Sequence, residues 1–356
     1  MKLAIAGGGT GGHVFPAVAV AREWLLRGPG REVLLVGTER GMEAKLVAEA
    51  GLPFAAIRVA GLKGIGGLRF VRNLALLPAA MAESNSILEG QRFAAAFGVG
   101  GYASGPFVLA AALAGVPTVI FEPNAAPGFT NRVLAGIANR VATAYEATAA
   151  RLGGRAVVTG TPVRSAFFDI APRPHVPPFR VLITGGSQGS LVINRAVIDS
   201  LDLLLPRKNQ LFLVHQSGER DYNAVRVAYA RREINAEVVP FISNMAEEFA
   251  RTDLIVCRAG AITAAEVAAA GRAAIFIPFG AATDSHQLRN AQALEAAGAA
   301  RVIPEPQLSP QRLVQEISSL LDQPERMEEM ERRARALARP RAVADIVNLI
   351  EGVARR

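Results

Sequence analysis

Short apolar runs, each closed by glycine or a polar turn, alternate along the chain with stretches whose apolar residues recur at helical spacing. The first run, Leu3-Ala4-Ile5-Ala6, leads into Gly7-Gly8-Gly9-Thr10-Gly11-Gly12-His13 and then into a helical stretch over 14–27. Further runs predict strands over 32–36 and 54–59, with a helix over 41–50 between them. Continuous apolar runs of this kind suit strands buried on both faces. Residues 93–121 carry no charge and are long enough to suggest a membrane span. Gly98, Gly100, Gly101 and Gly105, and the break at Gly115-Val116-Pro117, divide them instead into a strand (94–99), a buried helix (107–114) and a strand (118–121). Strands over 140–144 and 156–158 complete this half.

The layout then repeats. Arg180-Val181-Leu182-Ile183-Thr184 followed by Gly185-Gly186-Ser187-Gln188-Gly189-Ser190 is a second strand, glycine turn and helix start. Strands over 211–214, 237–239, 254–257 and 274–277 follow, each ending in a polar or glycine loop. Those loops are His215-Gln216-Ser217-Gly218, Phe241-Ile242-Ser243-Asn244, Arg258-Ala259-Gly260-Ala261-Ile262-Thr263 and residues 278–287. Loops collected at one strand end form one wall of a cleft. Between the halves, Ala171-Pro172-Arg173-Pro174-His175-Val176-Pro177-Pro178 is a proline-dense connector. The expected fold is therefore α/β, with two Rossmann-like domains (1–163 and 164–340) whose parallel sheets face a central cleft. Beyond the break at Arg339-Pro340-Arg341, a last helix over 341–356 is expected to pack back on the first domain.

A strand, a glycine turn and a helix start bring backbone N–H groups and a positive dipole end close to a phosphate or sugar. Gly7, Gly9 and Gly12 satisfy G-x-G-x-x-G, which a dinucleotide enzyme also shows. Such an enzyme wants an acidic residue at the end of the second strand, and Glu39 stands two residues past it. An NAD oxidoreductase would leave the second glycine loop unused. A duplicated unit is better suited to gripping a nucleotide-sugar.

Composition narrows the partners. At 356 residues, 51% apolar and 20% charged, the chain has a generous core and the length of two domains. A net charge of +8 calls for an anionic partner, either a membrane surface or a diphosphate substrate, unless the arginines are simply solvated. No zinc-finger spacing, helix-turn-helix signature or basic–aromatic ribbon points to nucleic acid. Cys257 is the sole cysteine, which excludes an intramolecular disulfide and suits a reducing compartment. The N-terminus enters a strand at once, so no signal peptide is expected. His13, His175, His215 and His286 show no ligand spacing and no Asp-x-Asp occurs, so neither a metal nor a cofactor is expected.

Several residues carry two readings. The stretch 68–83 places Phe70, Val71, Leu74, Leu77 and Met81 at helical spacing beside Lys63, Arg69 and Arg72. It is either an ordinary amphipathic helix or an apolar patch with a basic rim for anionic lipid. Asn124, at the carboxyl end of a strand, either forms a turn or bonds a sugar hydroxyl. Thr263 and Glu266, three residues apart, form either a capping box or, through Glu266, a contact to a ribose diol. His13 is either a base with a suitable pKa or a helix-start residue that positions its loop, and Glu122 is the reserve base.

Gly8-Gly9-Thr10-Gly11-Gly12-His13, Gly100-Gly101-Tyr102-Ala103-Ser104-Gly105-Pro106, Gly185-Gly186-Ser187-Gln188-Gly189 and Arg258-Ala259-Gly260-Ala261-Ile262-Thr263 resemble the MurG family of bacterial glycosyltransferases, in order along nearly the whole chain. The resemblance implies a GT-B fold and a hexosyltransferase. That enzyme moves N-acetylglucosamine from UDP-N-acetylglucosamine (UDP-GlcNAc) to the 4-hydroxyl of the muramyl sugar of lipid I. Inversion at the anomeric centre gives the β-1,4 link of lipid II in peptidoglycan synthesis, on which cell-wall biogenesis, cell shape and cell division depend.

It further implies that Arg164 and Ile242 border the uracil, that Glu266 holds the ribose, and that Ser187 and residues 261–265 (Ala261, Ile262, Thr263, Ala264, Ala265) meet the diphosphate. Gln287 and Asn290 would reach the donor sugar, while Thr10, Gly11, Gly12 and Asn124 face donor and acceptor from the first domain. A lipid acceptor adds weight to Lys63, Arg69, Phe70, Arg72, Leu74 and Leu77 as a membrane patch. The expected place is peripheral, on the cytoplasmic face of the plasma (inner) membrane, with cell-wall synthesis and division proteins as further partners. Phe121-Glu122-Pro123-Asn124 departs from the family's usual His-Glu-Gln-Asn, which touches the acceptor side and not the donor site. The rival transferase-fold readings are a UDP-GlcNAc 2-epimerase and a glycolipid synthase acting on diacylglycerol.

Overall fold

The computed structural model describes residues 1–8, 11–38, 42–59, 76–280 and 285–354. Two compact units divide the chain: unit 1 is Met1–Pro162 with Arg339–Arg356, and unit 2 is Val163–Ala338.

Unit 1 runs β1 (Lys2–Ala6), α1 (Gly11–Leu26), β2 (Glu32–Gly37), α2 (Met42–Glu49), β3 (Phe54–Ala56), α3 (Leu77–Glu89), β4 (Phe93–Gly98), α4 (Ser104–Leu113), β5 (Thr118–Glu122), α5 (Phe129–Ala135), β6 (Arg140–Thr143), α6 (Glu146–Leu152) and β7 (Ala156–Val158). Its seven strands are parallel in the order β3-β2-β1-β4-β5-β6-β7. Leu3, Ala4, Ile5 and Ala6 are almost wholly buried, because β1 lies in register between β2 and β4. Helix α1 turns Val14, Ala17, Val20, Ala21 and Trp24 into the same core, and the Trp24 indole donates to the Glu32 carbonyl at 3.0 Å.

The charge-free stretch 93–121 folds as β4, α4 and most of β5, all with buried faces. Among the described residues no helix is long and apolar enough to cross a membrane. The helix expected over 68–83 needs correction. Residues 60–75 lie outside those described, and α3 begins at Leu77 and ends at Glu89. Pro78 sits in its first turn, where a missing N–H does no harm, so it marks a start and not an interior.

Unit 2 runs β8 (Phe179–Thr184), α7 (Leu191–Leu204), β9 (Leu211–Gln216), α8 (Tyr222–Ala230), β10 (Ala236–Val239), α9 (Met245–Arg251), β11 (Leu254–Cys257), α10 (Ala261–Ala270), β12 (Ala273–Phe276), α11 (His286–Ala296), β13 (Arg301–Val302), α12 (Pro310–Leu321) and α13 (Pro324–Ala336). Its strands are parallel in the order β10-β9-β8-β11-β12-β13. Both sheets therefore reverse direction of winding beside their first strand, at β1/β4 and β8/β11. At such a switch point loops part and leave a crevice at the strands' carboxyl ends.

The chain closes with α14 (Ala342–Val353), which belongs to unit 1. Ile346, Val347 and Ile350 enter the core around Trp24, and Arg27, just past α1, bonds Glu351, Asn348 and the Ala344 carbonyl. A buried apolar stripe with a polar rim is what holds this tail.

Candidate active site

In unit 1 the chain leaves β1 through Gly7 and Gly8 and meets a second glycine turn, Gly100-Gly101, at the end of β4. A Cβ on Gly101 (φ +80°) would overlap the Gly8 carbonyl oxygen, and one on Gly7 would overlap the Val99 side chain. The two turns pack backbone on backbone, so glycine is required at both. His13, in the first turn of α1, bonds the Val99 carbonyl through Nδ1 at 3.0 Å. A carbonyl only accepts, so Nδ1 carries a proton. Gly100 (φ +93°) keeps its α-carbon beside that ring, where a Cβ would come within 2.9 Å of Cε1. Gly12 is exposed at the loop and Gly11 opens the helix. Thr10 lies outside the described residues.

Glu122 ends β5 and is only 2% exposed. Its carboxylate accepts from the Asn124 N–H (3.0 Å), Asn124 Nδ2 (2.9 Å), the Gly128 N–H (2.9 Å) and Asn131 Nδ2 (2.9 Å). Four donors fill both oxygens, which makes Glu122 the anchor of the 123–128 loop and the first turn of α5, and orients the half-buried Asn124.

In unit 2, α10 begins at Ala261 behind Gly260, and no side chain caps it. The capping-box reading is therefore corrected: Thr263 is the third helical residue, not the cap. Ala264 is buried and its N–H already bonds the Gly260 carbonyl at 2.9 Å. The N–H groups available to an anion are those of Ala261, Ile262 and Thr263. Ala265 and Glu266 follow, both half-buried. Arg164 donates to Glu266 Oε1 at 3.1 Å and stacks over Phe167 at 4.9 Å. Burial pushes the Glu266 carboxyl up, and the Arg164 guanidinium works against that.

Ser187 stands exposed in the loop after β8, and Ile242 half-buried in the loop after β10. Gln287, in the first turn of α11, accepts from the Phe279 N–H at 3.0 Å. Asn290 is fully buried and donates to the Ala259 carbonyl at 3.2 Å, so it braces the turn before α10 and does not stand at the surface with Gln287.

Two residues matter here that the sequence placed in loops without a role of their own. Arg258, buried after β11, donates to Ser190 Oγ (2.8 Å), the Ile277 carbonyl (3.0 Å) and Glu305 (3.1 Å). Ser190 in turn caps α7 by accepting from the Ile193 N–H. Gln216, at the end of β9, reaches the glycine loop and the Ile242 backbone together. Their only sequence signal is a polar residue at the carboxyl end of an apolar strand.

Of the membrane-patch residues, Lys63, Arg69, Phe70, Arg72 and Leu74 lie outside the described residues, and Leu77 is half-buried at the start of α3. Met81, of the same predicted stripe, packs against the core around Phe107. Among the described residues no group of His, Cys, Asp and Glu is placed to hold a metal ion.

Residues 3–143 match the Glycosyltransferase family 28 N-terminal domain and residues 180–347 the C-terminal domain of that family. A UDP-N-acetylglucosamine--N-acetylmuramyl-(pentapeptide) pyrophosphoryl-undecaprenol N-acetylglucosamine transferase of Myxococcus xanthus is 46% identical over 98% of this chain and 92% of its own. One of the same name from Anaeromyxobacter is 45% identical over 100% of this chain and 94% of its own. The crystal structure of Acinetobacter baumannii MurG superposes with a TM-score of 0.79 at 34% identity, covering 99% of both chains. A UDP-GlcNAc 2-epimerase from Neisseria meningitidis, at 13% identity and a TM-score of 0.70, shares the fold alone. Two parallel-sheet units, matched glycine turns and full-length kinship agree: the chain belongs to glycosyltransferase family 28, among the MurG-type N-acetylglucosamine transferases.

Proposed function

We propose that this protein transfers N-acetylglucosamine from UDP-GlcNAc to the muramyl 4-hydroxyl of lipid I, releasing UDP and forming lipid II with inversion. The sugars and the lipid are those in its relatives' names. The observation that carries the donor side is the uncapped start of α10 with the Arg164–Glu266 pair one turn inside it. Unit 2 takes the nucleotide. The Ala261–Thr263 N–H groups and the helix dipole stabilise the charge that develops on the leaving diphosphate, with Ser187 beside them. Glu266 accepts from the ribose diol, Arg164 and the Ile242 backbone border the uracil, and Gln287 bonds the sugar hydroxyls. Asn290 acts through the turn it braces.

Unit 1 takes the acceptor. His13 is the base: the bond from Nδ1 to Val99 presents Nε2 with its lone pair, the tautomer that proton removal needs. Glu122, already filled by four donors, holds Asn124 in place and is not the base.

The protein works at the cytoplasmic face of the membrane. Unit 1 offers an apolar face there: Leu109 and Leu113 on α4, and Phe129, Val133 and Ile137 on and after α5, are all exposed, Leu113 by 74%. Gly105, one turn before Leu109, lies against Thr130, so the two rows run side by side. Arg132, Arg140 and Arg155 surround them, and the one carboxylate between residues 99 and 145 is the buried Glu122. An apolar face with a cationic rim suits anionic lipid.

The test is UDP release from UDP-GlcNAc with and without a lipid I analogue. Release that depends on acceptor and yields a β-1,4 disaccharide is expected. Acceptor-independent release with free N-acetylmannosamine overturns the reading in favour of an epimerase.

A further inference from the structure

Gln216 is 1% exposed, yet its amide faces two loops that come from opposite sides of it in the sequence. Nε2 donates to the Gly186 carbonyl at 2.8 Å and to Thr184 Oγ1 at 3.2 Å, and Oε1 accepts from the Ile242 N–H at 2.9 Å. Both backbone partners can play only one part, so the amide has a single orientation. Thr184 Oγ1 also accepts from the Gly186 N–H at 3.1 Å. Gly186, at φ +88°, is thus gripped at both its N–H and its carbonyl.

A second polar network nearby does different work. His215, which burial holds neutral by pushing its pKa down to about 3, donates from Nε2 to Asn194 Oδ1 at 3.0 Å and meets the Tyr229 hydroxyl at 3.2 Å. Asn194 donates to the Ser217 carbonyl and to Asp221, both at 2.9 Å. That network fixes the 217–221 turn; among the described residues it is Gln216 that joins residue 186 to residue 242.

We propose that Gln216 is a positioning residue for the nucleotide donor. Through one amide it sets the separation between the glycine loop on the diphosphate side and the Ile242 backbone on the base side. A nucleoside diphosphate spans those two loops, so its affinity depends on a side chain that does not touch it. The proposal rests on the donor assignment above.

The test compares Gln216→Met, Gln216→Glu and Tyr229→Phe with the wild type, by UDP calorimetry, thermal unfolding and steady-state kinetics. Losing two loop hydrogen bonds in Gln216→Met raises the UDP Kd and the UDP-GlcNAc KM about tenfold or more, while the lipid I KM stays within about twofold. In Gln216→Glu the carboxylate meets the Gly186 carbonyl at about pH 8 and affinity falls. Near about pH 5.5 the protonated acid restores a donor, so the ratio of variant to wild-type Kd shrinks. Tyr229→Phe lowers the Tm and leaves the UDP Kd unchanged.

Wild-type affinity in Gln216→Met, or donor and acceptor KM rising together, overturns the role. Should Gln216→Met fail to fold, a Gln216→Glu ratio that ignores pH overturns it instead. A wild type that binds no UDP brings down the donor reading and this proposal with it; normal variants of a UDP-binding wild type bring down the proposal alone.

Discussion

The two glycine loops follow equivalent strands of their sheets and each packs on a second glycine turn, yet the second carries side-chain braces as well. After β1, the loop rests on another turn, Gly8 against Gly101, with almost no side chain between them. After β8, the loop also rests on another turn, Gly189 against the Ser217 carbonyl and Gly218 against Gln188, and side chains are added to that contact: Gln216 on Gly186, Arg258 on Ser190, Thr184 on the Gly186 N–H. A backbone-on-backbone contact is a fixed spacer that any added methyl breaks. A side-chain brace is adjustable, and each bond in it is open to single substitution. The units also differ in their charges. Unit 1 places one imidazole against its loop, whereas unit 2 has a buried arginine, the Arg164–Glu266 ion pair and a bare helix start.

The proposed function gives proton chemistry to unit 1 and charge binding to unit 2, and His13→Ala is the strongest way to break that proposal. Removing a general base costs about 10²- to 10⁴-fold in kcat. The donor KM is expected to stay close to wild type, since nothing in unit 2 changes. Single-turnover rates with a lipid I analogue read the loss directly. A near-normal kcat removes His13 from the role and leaves it as a loop-positioning residue.

Arg258→Met tests the brace in unit 2. It removes the guanidinium from Glu305, which keeps the Gly280 N–H, and takes away the donor to Ser190, so stability falls by about 2 kcal/mol, the usual cost of losing charge-assisted hydrogen bonds. Chemical denaturation followed by far-UV circular dichroism reads that loss. An unchanged midpoint would mean that the backbone contact of Gly189 with Ser217 holds the loop without the brace, as the Gly8–Gly101 contact does in unit 1.

The way each unit secures its loose end differs in the same sense. Unit 1 keeps α14 with apolar residues, whereas unit 2 keeps the connector with charges. His175 is buried between Asp253 (3.0 Å) and Glu331 (3.4 Å), with Arg173 and Arg272 beside those carboxylates. Burial alone would depress its pKa; the Asp253 and Glu331 carboxylates outweigh that and push it up to about 9. A folded-state pKa above the ordinary 6.5 means stability that is complete below about pH 6.5 and lost as pH rises through about 9. The loss is of the order of 3 kcal/mol and should appear in unit 2, with His175→Gln flattening the dependence. Thermal unfolding between about pH 6 and 9.5 reads it; a wild-type slope no steeper than the variant's sinks the account.

How much of this was legible beforehand follows from what makes each feature local or remote. β1, β8 and the charge-free stretch around β4 were legible because strands buried on both faces leave continuous apolar runs. Helix α3 was misplaced because a stripe of Leu and Met at helical spacing outweighed Pro78, which is the real start signal. The place of Glu266 near the start of α10 was legible from its spacing behind Thr263, although the capping box offered there did not form. Gln216, Arg258 and the inward turn of Asn290 were not, because their partners lie 19 to 68 residues away and only the folded sheet brings them together. Nor does sequence say that Glu122 spends both oxygens on its own loop.

The gentlest probe of the comparison is Glu266→Gln. It keeps the size and one acceptor oxygen but removes the charge that Arg164 answers at 3.1 Å. Because burial already raises this carboxyl, the neutral amide costs the fold little, and stability should change by less than about 1 kcal/mol. Donor binding should suffer more, since a charged acceptor holding a diol is stronger than a neutral one. A tenfold rise in the UDP-GlcNAc KM, about 1.4 kcal/mol, is expected with kcat little changed. That pattern would mark uniform binding of donor and transition state, as a ribose contact far from the breaking bond requires. A fall in kcat at constant KM would instead place Glu266 in the chemistry, and the division of labour between the two loops would have to be redrawn.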